Sequence, residues 1–173
     1  MTERTARVDL KLRSEKREGI VAKTFTFFAE GDRIEVRIVE FETRSKVDES
    51  DTVWLDSTVT VQAGAFIGSF KASFTTDDLV NLHEQLKSAL ATLSGTVISH
   101  NTGGGLSLAI KLDSAGRATI SGVAYPNRLR RGTLTFQLAT DHFALIRTLG
   151  ELENAMRAFP TCQTIENYGW ARK

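Results

Sequence analysis

A run of three glycines is the first stretch of this sequence that could carry chemistry. In NTGGGLSLAI, residues 101–110, the glycines precede an apolar run, and glycines can let a backbone wrap a phosphate. A phosphate loop of the Walker type would continue with a lysine, a hydroxyl residue and a helix. Here Gly105 leads into LSLAIKL, which has the pattern of a strand. The stretch therefore predicts a flexible connection between strands and no cofactor.

The histidines are the second candidate group. His83, His100 and His142 are the only ones in the chain, and no two have the spacing of metal ligands, so no metal is predicted. His100 precedes Asn101 in a predicted loop, where functional groups are often placed. Together with acidic residues from neighbouring strands, this pair could form a small-molecule hydrolytic or isomerase site. No motif supplies a nucleophile, so no residue is assigned a catalytic role.

A cluster of arginines is the third candidate group. YPNRLRRG, residues 125–132, contains Arg128, Arg130 and Arg131 close to Tyr125. Guanidinium groups suit carboxylate or phosphate partners. The simpler interpretation is a solvated hairpin loop, since exposed charge runs are common. If the protein binds another macromolecule, these four residues are the first surface to test.

The chain as a whole excludes several classes of protein. Its 173 residues suit a single domain over 1–173, and a net charge of +1 argues against a nucleic-acid binder that works through bulk electrostatics. Cys162 is the only cysteine, so no intramolecular disulfide can form. Neither a signal peptide nor an apolar run long enough to cross a membrane is evident. We therefore expect a cytoplasmic protein without a membrane partner.

Two hydrophobic periods divide the chain into strands and helices. Alternation in ARVDLKL (residues 6–12) and in RIEVRIVEF (33–41) predicts half-buried antiparallel strands, and polar residues 45–51 predict an exposed loop. Apolar residues at three- and four-residue steps predict helices near 76–93 and 141–158. Thr76 is the expected cap of the first helix, and Thr140 or Asp141 that of the second.

The order of strands and helices predicts an α+β fold. We expect a curved antiparallel sheet of about six to eight strands, with both helices packed on one face. No repeat of fixed period is evident. The expected core residues are Ile34, Val36, Ile38, Trp54, Phe66, Phe70, Leu82, Leu86, Leu108, Ile120, Phe136, Leu145, Leu149 and Leu152.

Three stretches of the chain resemble the WapI-type immunity proteins and related uncharacterised bacterial domains. They are VWLDSTVTVQAGAFIGSFKASFTTDDLVNLHEQLKSAL, LSLAIKLDSAGRATISGVAY and LTFQLATDHFALIRTLGELENAM. The resemblance covers roughly residues 33–158, leaving the N-terminal strands at 1–32 and a C-terminal tail at 159–173. It implies a small cytoplasmic protein that binds and neutralises a cognate toxin, and it brings no catalytic residues.

These observations favour a non-catalytic protein-binding module, an immunity protein that neutralises a bacterial toxin. Tyr125, Arg128, Arg130 and Arg131 are then the predicted contact with a protein partner. The alternative is a small-molecule-binding protein or enzyme that uses the loop at His100 and Asn101. A homodimer built through an exposed strand edge is a further hypothesis.

Overall fold

The computed structural model describes residues 21–42, 52–126 and 132–161. The first half of the chain forms an antiparallel sheet whose strands lie in chain order, followed by a helix. Its elements are β1 (Lys23–Phe28), β2 (Arg33–Phe41), β3 (Trp54–Ala63), β4 (Phe66–Thr75) and α1 (Thr76–Thr92).

The second half repeats this arrangement, again with four antiparallel strands in chain order and a helix after them. Its elements are β5 (Gly95–His100), β6 (Leu106–Leu112), β7 (Arg117–Ala124), β8 (Leu134–Asp141) and α2 (His142–Ala158). The described residues thus form eight antiparallel strands and two helices, in agreement with the predicted α+β class and the expected six to eight strands.

Two features of this architecture differ from the prediction. The strands form two separate sheets of four, where one curved sheet was expected. The two halves are also repeats of one architecture, although the sequence shows no fixed period. Equivalent elements are unequally spaced. The separation from Lys23 to Gly95, where the first strands begin, is longer than that from Thr76 to His142, where the helices begin. Connections of different length thus conceal the repeat.

The helices interlock the two halves. Each helix packs against the other helix and along the first strand of the opposite half, α1 on β5 and α2 on β1. On β5, the Gln85 side-chain amide donates to the Ile98 carbonyl and accepts from the Ile98 N–H, both at 3.0 Å. On β1, Glu151 accepts from the Thr26 N–H at 2.9 Å, and Thr148 donates to the Thr26 carbonyl at 2.6 Å. Helical side chains thus occupy backbone groups of two edge strands that could otherwise pair with another chain.

Side-chain caps fix where the helices begin. Thr75 caps α1 in a capping box: its hydroxyl accepts from the Asp78 N–H, and the Asp78 carboxylate accepts from the Thr75 N–H. The cap therefore lies one residue before the predicted Thr76. Asp141 caps α2 by accepting from the Ala144 N–H. Helix boundaries agree with prediction to within a residue.

One continuous core joins the two sheets and the helices. Ten of the predicted core residues are buried, namely Ile34, Val36, Ile38, Leu82, Leu86, Leu108, Ile120, Phe136, Leu145 and Leu152. The core also includes residues that were not predicted. Phe25 and Phe27 of β1 are buried under α2, and Phe159 stacks edge-on against Phe41, with ring centroids 5.2 Å apart.

Four core predictions are wrong in whole or part. Phe66 is 69% exposed, because it pairs with Ala63 at the hairpin end, beyond the core. Trp54 is half-buried, because alternation in β3 turns the neighbouring Leu55 inward. Phe70 and Leu149 are half-buried at the core margin.

Some predictions concern residues that lie outside the described ranges. They are the strand at 6–12, the loop at 45–51, Arg128, Arg130, Arg131 and Cys162. These interpretations, and the division into a single domain over 1–173, stay predictions.

Candidate functional site

The glycine run connects two strands, as predicted, but hydrogen bonds hold it in place. The buried Asn101 side chain donates both amide hydrogens, to the Ser73 carbonyl at 2.8 Å and to the Gly104 carbonyl at 2.7 Å. Its carbonyl oxygen accepts from the Leu106 N–H at 2.9 Å. A Cβ atom at Gly103 would lie 2.2 Å from the Ser73 carbonyl oxygen. Glycine is therefore required here because the loop closely approaches strand β4.

Asp78 links the same loop to the start of helix α1. Besides its part in the capping box, its carboxylate accepts from the Thr102 hydroxyl at 2.6 Å and from the Thr102 N–H at 3.0 Å. Farther along, the Gly105 carbonyl accepts from the Tyr125 N–H at 2.7 Å. The loop at 101–105, which we name the clasp, is thus tied to β4, to α1 and to the end of β7.

A polar cleft of about 830 Å³ lies beside the clasp. The first sheet, the clasp and the end of β7 all contribute to its walls. Lining residues include Glu40, Asp56, Ser57, Lys71, Ser73, Asn101, Thr102, Ser107, Tyr125 and Pro126. Among the described residues, the Ser57 hydroxyl alone is a buried side-chain polar group without a hydrogen-bond partner. The cleft joins the two halves of the molecule, and hydroxyl, amide and charged groups converge on it.

The structure does not bring His100 and Asn101 together. Neighbours in a strand point to opposite faces. Accordingly, His100 is exposed and its Nδ1 lies 2.9 Å from the Ser107 hydroxyl, whereas Asn101 is buried in the clasp. The described residues contain no group of three or more acidic, histidine or cysteine side chains that could hold a metal ion.

The other histidines have structural contacts. The Nε2 atom of His83 lies 3.1 Å from a Glu153 carboxylate oxygen and so connects the two helices. His142 stacks on Phe143 with ring centroids 3.9 Å apart, and its Nδ1 lies 3.3 Å from the Gly116 carbonyl oxygen.

Of the predicted partner-binding residues, only Tyr125 is described. It is half-buried and lines the cleft. The three arginines that follow it in the chain lie in the gap at 127–131. The structure shows a second exposed feature that was not predicted: Phe143 and Ile146 of α2 are 71% and 51% exposed. Their position outside the leucine stripe of α2 is the sequence signal that could have indicated this exposure.

Comparisons with known proteins identify the family. The Immunity protein WapI-like family matches residues 25–160, and this range includes the 33–158 expected from the resemblance as well as most of β1. No curated protein matches the chain significantly. The match to a solved structure, the CdiA-CT/CdiI toxin and immunity complex from Enterobacter cloacae, covers 78% of this chain and 99% of the chain in that structure. Its identity is 7% and its TM-score 0.40, a likeness too distant to transfer any property.

The described helices include none that is long and apolar enough to cross a membrane.

The family match covers most of the chain, from the middle of β1 to just past the end of α2. The matched range includes the three stretches that carry the resemblance, which form β3 to α1, β6 to β7 and β8 to α2. The chain therefore belongs to the WapI-like immunity protein family.

Proposed function

We propose that this protein acts in the cytoplasm by binding a cognate toxin directly and covering a surface that the toxin needs for its activity. The single observation that carries the proposal is membership of the immunity protein family over residues 25–160. Protection by this route needs no catalytic group in the immunity protein, only a shaped surface with well-placed anchors.

The cleft and its rim support the choice of one binding face. The clasp is held by hydrogen bonds that Asn101 and Tyr125 donate and that the Asp78 carboxylate accepts, so the surface beside it is ordered before any partner arrives. A preorganised surface loses less conformational entropy on binding than a mobile one. We propose that the toxin contacts this rim through Tyr125, which lines the cleft.

We extend the proposed contact to Arg128, Arg130 and Arg131, because they come soon after Tyr125 in the chain. Three guanidinium groups within four residues would complement an acidic toxin surface and accelerate encounter with it. Tyrosine and arginine are also among the residues that most often dominate binding energy in protein interfaces.

The test co-expresses the full chain with the C-terminal domain of any toxin that the neighbouring genes encode. We expect the wild-type chain to restore growth and to form an isolable complex with the toxin domain. Absence of both growth and complex would contradict the proposal.

The contact face has its own test. Replacing Arg128, Arg130 and Arg131 together by alanine should slow association at low salt by roughly tenfold or more. The matched control removes three exposed charges elsewhere, at Lys87, Lys111 and Arg157, and should leave association within about threefold. Equal effects of the two triple variants would mean that net charge matters and that this face does not.

The small-molecule alternative at His100 and Asn101 gains no specific support. Both amide hydrogens of Asn101 are used within the molecule, and His100 lies on the other face of the strand end. His100→Ala should therefore leave protection by the protein unchanged in the co-expression test. Loss of protection by a folded His100→Ala variant would restore this alternative.

A homodimer through a strand edge stays a separate proposal. Because α1 and α2 occupy backbone groups on β5 and β1, the outer strands left for such pairing are β4 and β8. Light scattering at several concentrations tests it, and a constant monomer mass would be the negative result.

A further inference from the structure

Helix α2 exposes two large apolar side chains on one face near its start. Phe143 is 71% exposed and Ile146 is 51% exposed, and residues three apart on a helix are neighbours. Arg147 follows on the same face. We name these three residues the α2 face. By contrast, the exposed Phe66 and Ile67 are consecutive in β4 and point to opposite sides, so they form no continuous patch.

Three exposed arginines lie within the α2 face or on elements next to it. The Arg147 guanidinium lies 4.0 Å above the centre of the Phe28 ring, and its Nε donates to Glu151 at 3.2 Å, so two contacts orient it. Arg33 is exposed opposite Phe28 in the β1–β2 pair. Arg117 lies in register with the residue that caps α2, and its 81% exposed side chain forms an ion pair with Asp113 at 2.8 Å. These exposed guanidinium groups near the apolar pair favour a partner that carries carboxylates.

The other half of the molecule is an internal control for this surface. Aligning the first residues of the helices matches buried residues of α1 to buried residues of α2: Leu79 to Leu145, Leu86 to Leu152 and Ala89 to Ala155. The same alignment matches Phe143 to Asp77, Ile146 to Val80 and Arg147 to Asn81.

The fold therefore does not require an exposed aromatic residue at the second position of its helix. Asp77 at this position of α1 suits the positive end of the helix dipole, whereas Phe143 leaves an apolar ring in water. Among the described residues, the ring contact of Phe143 is with His142, and it leaves most of the Phe143 ring in water.

We infer that the α2 face is a second contact for the toxin, and that it binds an apolar pocket on the toxin surface that is bordered by carboxylates. This inference rests on the proposed function. Phe143 and Ile146 supply the apolar anchor, and Arg147, held in place by Phe28 and Glu151, supplies a preoriented cation.

The α2 face is separate from the Tyr125 rim. Tyr125 follows β7 at the end where β8 begins, whereas Phe143 follows the far end of β8. Eight residues of β8 separate these ends, which corresponds to roughly 25 Å. A toxin domain that touches both would span the second sheet, and each contact can be removed without altering the other.

The test measures the dissociation constant for the same toxin domain with three forms of the full chain. The first is the wild type, and the second combines Phe143→Asp, which copies α1, with Ile146→Ser. The third is the matched control at the equivalent positions of α1, Asp77→Ala with Val80→Ser. Affinity should fall at least about 100-fold in the α2 variant and change less than about threefold in the control.

Each outcome decides one question. Wild-type binding with an unchanged constant for the α2 variant would overturn the inference and leave the proposed function standing. No binding by the wild type would overturn the proposed function itself. A wild-type dimer that the α2 variant converts to monomer would assign the face to a second copy and overturn the toxin contact. If thermal melting shows the double variant unfolded, Phe143→Ser and Arg147→Ala are measured singly, each with an expected loss of about tenfold.

Discussion

Helices α1 and α2 occupy equivalent places in the two halves, each after a fourth strand and each packed along the first strand of the opposite half. Their buried positions match, and each protects an edge strand with a side chain at the same helical position, Gln85 in α1 and Glu151 in α2. Their exposed first turns differ, with Asp77 in one and Phe143 in the other. The comparison teaches that shared positions build the scaffold and that differing positions are candidates for recognition.

The most demanding test of this equivalence is a pair of core truncations. Leu86 and Leu152 are both fully buried at matched positions of the two helices. Each leucine-to-alanine change should lower the free energy of unfolding by about 3 kcal/mol through lost burial and a residual cavity. Chemical denaturation measures both. A difference of more than about 2 kcal/mol between the variants would break the equivalence.

Among the described residues, the clasp between β5 and β6 has no counterpart between β1 and β2, so disrupting it sharpens the comparison. Gly103→Ala would force a methyl group against the Ser73 carbonyl and should cost about 2 to 3 kcal/mol of stability. Gly104→Ala is the control, since it meets no atom within 4 Å but has a φ of +74°; it should cost about 1 kcal/mol. Thermal melting with equal losses for both variants would show that close approach to Ser73 is unimportant.

The two edge contacts should differ modestly in strength. Glu151→Ala removes a charged acceptor from the buried Thr26 and a partner from Arg147, so we expect a loss of about 1.5 kcal/mol. Gln85→Ala removes a neutral amide from the exposed edge at Ile98, with an expected loss of about 0.7 kcal/mol. Urea titration would contradict this order if Gln85→Ala proved the more damaging change.

The smallest effect concerns the turn between β6 and β7. The Arg117 backbone N–H, which donates to Asp113, is the main cause that lowers the pKa of that carboxyl. Because the folded-state pKa is depressed, the contribution to stability is present above the unfolded-state pKa and is lost as pH falls through the folded-state value. Asp113→Asn should thus be slightly less stable than wild type at neutral pH, with the gap closing in acid. A gap that widened in acid would contradict this sign.

Local periodicity was enough to predict most elements. Alternation in β2 and the leucine stripes of both helices depend on neighbours in sequence, so the buried faces at Ile34, Leu86 and Leu152 could be inferred. Periodicity also misled at Phe66, because it does not tell where a strand leaves the core, and Trp54 was expected in the core although alternation in β3 buries its neighbour Leu55. The division of the strands into two sheets depends on long-range strand pairing, which the spacing of apolar residues along the chain does not predict.

The candidate site was less predictable because its contacts are distant in sequence. Glu151 falls on the solvated side by helical periodicity, yet it accepts from Thr26 across the molecule. Asn101 has the composition of a ligand loop, but Ser73 and Leu106 use its side chain to hold the clasp. Recognising Phe143 as anomalous required an equivalent helix for comparison, and only the fold supplies one.

The most direct measurement of the central claim is hydrogen–deuterium exchange of the chain with and without the toxin domain. Amides in the first turn of a helix lack intrahelical partners and exchange readily until a partner covers them. We predict slower exchange in the complex around Tyr125 and in the first turns of α2, with little change in the equivalent turns of α1. Protection confined to α1, or no protection at either predicted contact in a complex that forms, would contradict the claim that recognition lies where the two halves differ.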